Sequence, residues 1–155
     1  MISRRTFVAR AAALGGALAA GGPLYALERV APVTLTIYKS STCGCCAKWV
    51  DHVKAAGFTT VVHDDEDMEG VKDNLGVPKG VRSCHTAQVE KYLIEGHVPA
   101  EDIQRLLKER PKVAGLAVPG MPASTPGMAV PGEPHEPYET VAFRLDGTTT
   151  TYAKH

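Results

Sequence analysis

The chain has 155 residues, 17 basic and 17 acidic side chains, and a formal net charge of zero. That length suits one domain with one modest core. No excess of positive charge is available to track phosphates, which argues against nucleic acid as a partner.

The chain begins with Ser3-Arg4-Arg5-Thr6-Phe7, a twin-arginine signature, followed by an Ala/Gly/Leu stretch over residues 11–22. This pattern reads as an export signal. The apolar run is about a dozen residues, whereas a membrane span needs about 20 strongly apolar ones, so no permanent membrane helix is expected. Cleavage after Ala26 would divide the chain into a signal peptide, residues 1–26, and a mature periplasmic domain, residues 27–155; an uncleaved anchor is the alternative. Cleavage removes Arg4, Arg5 and Arg10 and no acid, leaving 14 basic and 17 acidic side chains. Twin-arginine cargo crosses the membrane folded and often carries a cofactor, which adds weight to a metal or redox centre.

Val33-Thr34-Leu35-Thr36-Ile37-Tyr38 alternates and is rich in β-branched residues, the pattern of a strand. Cys43-Gly44-Cys45-Cys46 follows, and then a helical pattern over residues 47–56 carries Trp49, Val50, Val53 and Ala56 on one face, with Gly57 as its stop. Cysteines at such a strand-to-helix turn meet the free N–H groups and positive dipole end of the helix, which favour thiolate over thiol. Residues 59–63 give a second strand, so the three elements form a parallel unit with a right-handed crossover. An acidic stretch, residues 64–69, leads into a short helix at 71–75, ended by Gly76-Val77-Pro78.

Residues 84–89 and 92–95 flank Glu90-Lys91 as a hairpin, and Pro99 opens an amphipathic helix with Ile103, Leu106 and Leu107 on one face. The order is that of an α/β, thioredoxin-like domain, in which active thiols lie between the first strand and its helix. A different region starts at residues 113–118. Six prolines over residues 119–137 mark a loop. Residues 138–145 and 148–152 flank Asp146-Gly147, a hairpin signal, and read as a C-terminal β extension of the same central mixed sheet.

The cysteine spacing narrows the chemistry. Two inert disulfides are one reading of four cysteines in an exported chain, but Cys45 and Cys46 are adjacent and a bond between neighbours strains the peptide. Cys43 and Cys46 can close as a redox Cys-x-x-Cys pair, leaving Cys45 and Cys84. Copper(I) is a soft ion selected by thiolate and thioether ligands, and four cysteines can bridge several such ions. Zinc competes, yet structural zinc sites usually draw on two separated Cys-x-x-Cys knuckles, and here there is one.

Ser41-Thr42-Cys43-Gly44-Cys45-Cys46, Cys84-His85-Thr86-Ala87, Glu95-Gly96-His97-Val98-Pro99, Gly120-Met121-Pro122 and Pro126-Gly127-Met128 together resemble the CopG family. Its members are exported, thioredoxin-like, associated with copper resistance and long described as a domain of unknown function. The resemblance implies that fold, a periplasmic location and cysteine-bound copper, with Cys43, Cys45, Cys46 and Cys84 as ligands by position.

Further candidate ligands each carry a plainer alternative. His85 adjoins Cys84 at the start of an expected strand, so the two should point to opposite faces and share a metal only if the backbone is irregular there. Otherwise His85 is a packing or hydrogen-bonding residue. His97 is a ligand, an acid/base group or a helix-entry residue. Met121 and Met128 lie in the loop, where thioethers could relay copper or simply make loop contacts. Trp49 and Tyr38 read as core, and His63-Asp64-Asp65-Glu66-Asp67 as a solvated acidic loop without calcium-loop spacing. The leading expectation is a copper-binding protein of copper homeostasis that holds, and interconverts the oxidation states of, copper, with copper ions and copper-efflux or other periplasmic copper proteins as partners. A passive copper carrier shares this site. The alternative from another class is a thiol–disulfide oxidoreductase in which Cys43 attacks and Cys46 resolves.

Overall fold

In the computed structural model, which describes residues 32–155, the first β-branched run becomes β1 (Thr34–Lys39). Alternation buries Leu35, Ile37 and Lys39. The expected crossover follows: α1 (Gly44–Ala55) and then β2 (Thr59–Asp64), which pairs with β1 in parallel from Thr34↔Thr59 to Lys39↔Asp64. The helix starts three residues earlier than its apolar pattern, because Cys43 is its N-cap and Cys45 and Cys46 occupy its first turn. The signal peptide expected over residues 1–26 lies outside the described residues.

The acidic stretch has structural work in addition to its exposure. Asp67 caps α2 (Met68–Leu75), its Oδ1 accepting from the Gly70 N–H at 2.9 Å, and Gly76 ends the helix in the left-handed conformation at φ 72°. Glu66 accepts from the Ser41 hydroxyl at 2.7 Å and clips the turn that precedes Cys43. A 3-10 turn at Lys79–Val81 then leads to β3 (Thr86–Val89) and β4 (Tyr92–Glu95). The strand expected from residue 84 thus begins two residues later. α3 (Ala100–Glu109) opens at Pro99.

Three further strands extend the sheet: β5 (Gly115–Ala117), β6 (Glu139–Phe143) and β7 (Thr149–Lys154). The order across the seven strands is β2-β1-β3-β4-β5-β6-β7, with β1–β2 and β4–β5 parallel and the other pairs antiparallel. This is the mixed sheet with helices and a β extension expected of a thioredoxin-like chain. The extension joins through β5, a three-residue strand for which Gly115 is required: a Cβ there would sit 1.8 Å from the Leu93 carbonyl oxygen.

Side-chain alternation divides the core between the sheet's two faces. One face packs Ile37, Ala87, Ile94 and Leu116 against Trp49, Val50 and Val53 of α1 and Ile103 and Leu106 of α3. The other buries Leu93, Ala117 and Phe143 with Val77 and Val81, the segment that follows α2. The cysteine turn lies at the edge of the first face. Among the described residues no helix is long and apolar enough to cross a membrane.

Candidate metal centre

Four cysteines that lie up to 41 positions apart in the sequence, from Cys43 to Cys84, meet at one point. Cys43, Cys45, Cys46 and Cys84 offer sulfurs that all lie within 4.8 Å of one another, and Cys84, His85 and His97 offer a second overlapping group within the same limit. The helix brings three of the sulfurs together. Cys43 is half-buried at the N-cap and Cys46 fully buried one turn on, and the two are joined in a disulfide. Cys45 and Cys84 are free thiols, and Cys45 Sγ lies 3.5 Å from Cys43 Sγ.

The Cys84–His85 segment corrects one sequence expectation. Because residues 83–85 precede β3 instead of beginning it, strand alternation does not apply. Cys84 Sγ therefore lies 3.3 Å from Nδ1 of its neighbour His85, and 3.1 Å from Nε2 of His97. The irregular backbone that a shared site requires is present. There is no cis peptide among the described residues, and Cys84 itself fills the place facing the helix turn.

The two imidazoles are prepared differently. Nδ1 of His97 lies 2.6 Å from the Pro126 carbonyl oxygen, an acceptor only, so Nδ1 carries the proton and Nε2 presents its lone pair to Cys84. His85 is fully buried, its ring 4.4 Å from the Trp49 ring and 5.1 Å from that of His97. Its Nε2 has no hydrogen-bond partner. Burial, followed by the charge of His97, holds His85 well below the ordinary imidazole range, and burial lowers His97 against the opposing pull of the Pro126 carbonyl. Both rings are the neutral form that binds metals.

The thiolate character expected of the turn cysteines does not extend to Cys84. That residue stands outside the turn, and burial, then the neighbouring Cys45, push its thiol up to about 11. A bound cation would reverse this balance, since thiolate is the ligating form.

The proline-rich loop crosses in front of the centre. Thr125 is buried, Pro126 holds His97, and Gly127 (φ +88°) lies so close that a Cβ would come 2.8 Å from the Cys45 carbonyl oxygen and 2.9 Å from the Trp49 amide nitrogen. The two methionines are placed apart: Met121 is exposed, and Met128 lines a cavity of about 170 Å³ with Ser124, Glu133 and His135. Trp49 is core as expected, its Nε1 donating to the Val98 carbonyl at 2.8 Å, and Tyr38 stacks on His63 at 5.2 Å.

Behind the Cys84–His85 segment lies an arrangement that sequence reasoning missed. Glu95 and Lys72 are 0% and 1% exposed at the side chain and form an ion pair at 2.5 Å. Glu95 also accepts from the Ser83 amide at 2.6 Å and the Thr86 hydroxyl at 2.7 Å, and Lys72 donates to Thr86 at 2.8 Å. Glu95 ends an otherwise apolar run, Tyr92-Leu93-Ile94, and that position was the available signal.

Comparison with known proteins follows the same outline. Residues 81–128 match the family described as "Protein of unknown function, DUF411". Two solved structures, named "Copper resistance protein copG- Form 1" and "Copper resistance protein copG- Form 2", are each similar to this chain at 40% identity with a TM-score of 0.74. Each comparison covers 80% of this chain and 98% of the other. No curated protein matches.

Proposed function

The chain belongs to the CopG family of copper resistance proteins, and from that premise we propose that it is an exported, periplasmic protein that binds copper(I) through cysteine thiolates. The observation that carries this reading is the convergence of four cysteine sulfurs, with His85 and His97 alongside. Sulfur ligands select a soft monovalent ion, and imidazole tolerates it. Cys43, Cys45, Cys46 and Cys84 would hold copper, with His97 Nε2 and one nitrogen of His85 as further donors. The orphaned His85 nitrogen supports this, because a buried polar atom without a partner is costly unless something binds it.

The closed Cys43–Cys46 bridge makes the donor set depend on oxidation state. With the bridge shut, Cys45, Cys84 and the imidazoles remain; two electrons and two protons add the thiols of Cys43 and Cys46. The same pair gives copper a redox partner of matching stoichiometry: two copper(II) ions and two thiolates exchange with two copper(I) ions and one disulfide. Interconversion of copper oxidation states is thus part of the proposal, as is transfer to other periplasmic copper proteins.

The test is copper(I) retention by the anaerobically reduced mature protein against a strong copper(I) chelator. Two or more ions per chain are expected. Retention of none refutes the reading.

The same bridge favours a second reading, a thiol–disulfide oxidoreductase in which half-buried Cys43 attacks and buried Cys46 resolves. Turnover of a disulfide substrate by a C45S/C84S variant at the parental rate would select this reading; loss of copper retention in that variant selects the first.

A further inference from the structure

A buried ion pair contributes little net stability, since the cost of removing both charges from water offsets their attraction, and well-packed apolar residues often serve as well. The Lys72–Glu95 pair is fully buried and stands at the rim of the metal centre. Its contacts show what it does there. Thr86 and Glu95 face each other across β3 and β4, and alternation puts them on the sheet face opposite to Ala87 and Ile94, whereas His85 packs on Trp49 of the helix that covers that first face. From that side one carboxylate grips the residues on both flanks of Cys84-His85: Oε1 takes the Ser83 amide together with Lys72, and Oε2 takes the Thr86 hydroxyl. The His85 carbonyl accepts from the Gly96 amide at 3.0 Å. Gly96 in turn has no room for a side chain, because a Cβ would meet Ser83 Oγ at 2.5 Å.

We propose that Glu95, supported by Lys72 and Thr86, is the positioning device of the metal centre: it pins residues 83–85 out of regular strand geometry, so that Cys84 and His85 turn toward the same point as His97. Without it, residues 84 and 85 are free to join β3, and alternation sends their side chains apart. Glu95 touches neither copper nor any of its ligands; it acts through the Ser83 amide and the Thr86 hydroxyl. The pair also ties α2 to the centre, since Lys72 belongs to that helix. This inference rests on the reading of Cys84, His85 and His97 as copper donors.

The decisive variant is K72M/E95L, which replaces the pair by apolar residues of similar size. A pair that serves only the core is replaceable in this way, and a positioning pair is not. The expected result is a folded protein, by near-ultraviolet circular dichroism, with an unfolding midpoint near the parent's. Its imidazole nitrogen shifts for His85 and His97 should change in the copper-free protein, and its copper(I) dissociation constant should rise tenfold or more, the usual scale for losing a residue that orients a metal ligand. Parental imidazole shifts together with parental copper affinity overturn the proposal. If the double variant does not fold, T86V removes the hydroxyl link alone and is read in the same two ways. A parent that retains no copper refutes the functional reading separately; the copper-free imidazole shifts then decide the positioning role, changed shifts supporting it and unchanged shifts overturning it.

Discussion

Nε2 of His97 stands 3.1 Å from Sγ of Cys84, while Nδ1 of the same ring is held 2.6 Å from the carbonyl oxygen of Pro126. One contact fixes the proton and the other leaves the free lone pair beside the sulfur. His97→Gln has no ring to hold in this way. We expect its copper(I) affinity to fall at least tenfold, measured by chelator competition, with the secondary structure unchanged.

Cys84 should be a slow nucleophile near neutral pH. With its thiol pushed up to about 11, first by burial and then by Cys45, its alkylation in a Cys45→Ser background should rise steeply only above pH about 9. The midpoint should fall below the parent's, because one of the raising influences is gone. A thiol whose folded value exceeds its unfolded value of 9.0 stabilises the fold below that pH and loses this contribution as pH climbs to about 11. The urea midpoint should therefore drop more across pH 9 to 11 in the parent than in Cys84→Ser.

Gly127→Ala should loosen the loop from the centre. The new methyl would press on the Cys45 carbonyl and the Trp49 amide from a positive-φ backbone, at a cost of about 1–3 kcal/mol. Denaturant unfolding reads this loss. The Pro126–His97 bond should weaken with it, visible as a shift in the His97 ring nitrogens.

Lys72→Met alone leaves Glu95 buried without its counter-charge. We expect destabilisation of about 3–5 kcal/mol, most of it recovered when Glu95 is also made apolar. A double-mutant cycle in urea checks both values, and additive losses would contradict the pairing.

Oxidation state should control capacity. With Cys43 and Cys46 joined, the protein should give two titratable thiols under denaturing conditions, and four after reduction. Copper(I) retention should be lower in the bridged protein and rise on reduction. Equal retention in both states would exclude Cys43 and Cys46 as ligands.

Much of this was legible in the residues. The period-2 runs and the helical spacing of Trp49, Val50 and Val53 placed the first five elements within a few residues, because each carries its own apolar pattern. β5 was not, since a three-residue strand such as Gly115-Leu116-Ala117 has too few positions to show a period. The strand pattern extends back over Cys84 and His85 because the β-rich residues after them continue it, and the hydrogen bonds that break it come from Glu95, on the neighbouring strand of the hairpin. Lys72 reads as an ordinary surface residue of a short helix. Only tertiary packing reveals it as buried.

The late strands bear on how the centre is assembled in time. In a four-stranded sheet β4 would be an open edge; here it is shielded by β5, which is itself shielded by β6. The register joins Leu93 to Gly115 and Gly115 to Phe143, so the strand carrying Glu95 and leading to His97 gains its neighbours through successive long-range closures. Pairings so distant in sequence form slowly, because loop entropy is lost before contacts compensate. The cysteine turn rests on a closure of similar length, Thr34 to Thr59, so the four sulfurs meet only after several long-range pairings are made. Until then the turn's thiols lack the wall that His97 and Cys84 supply, and are open to stray metals and one another.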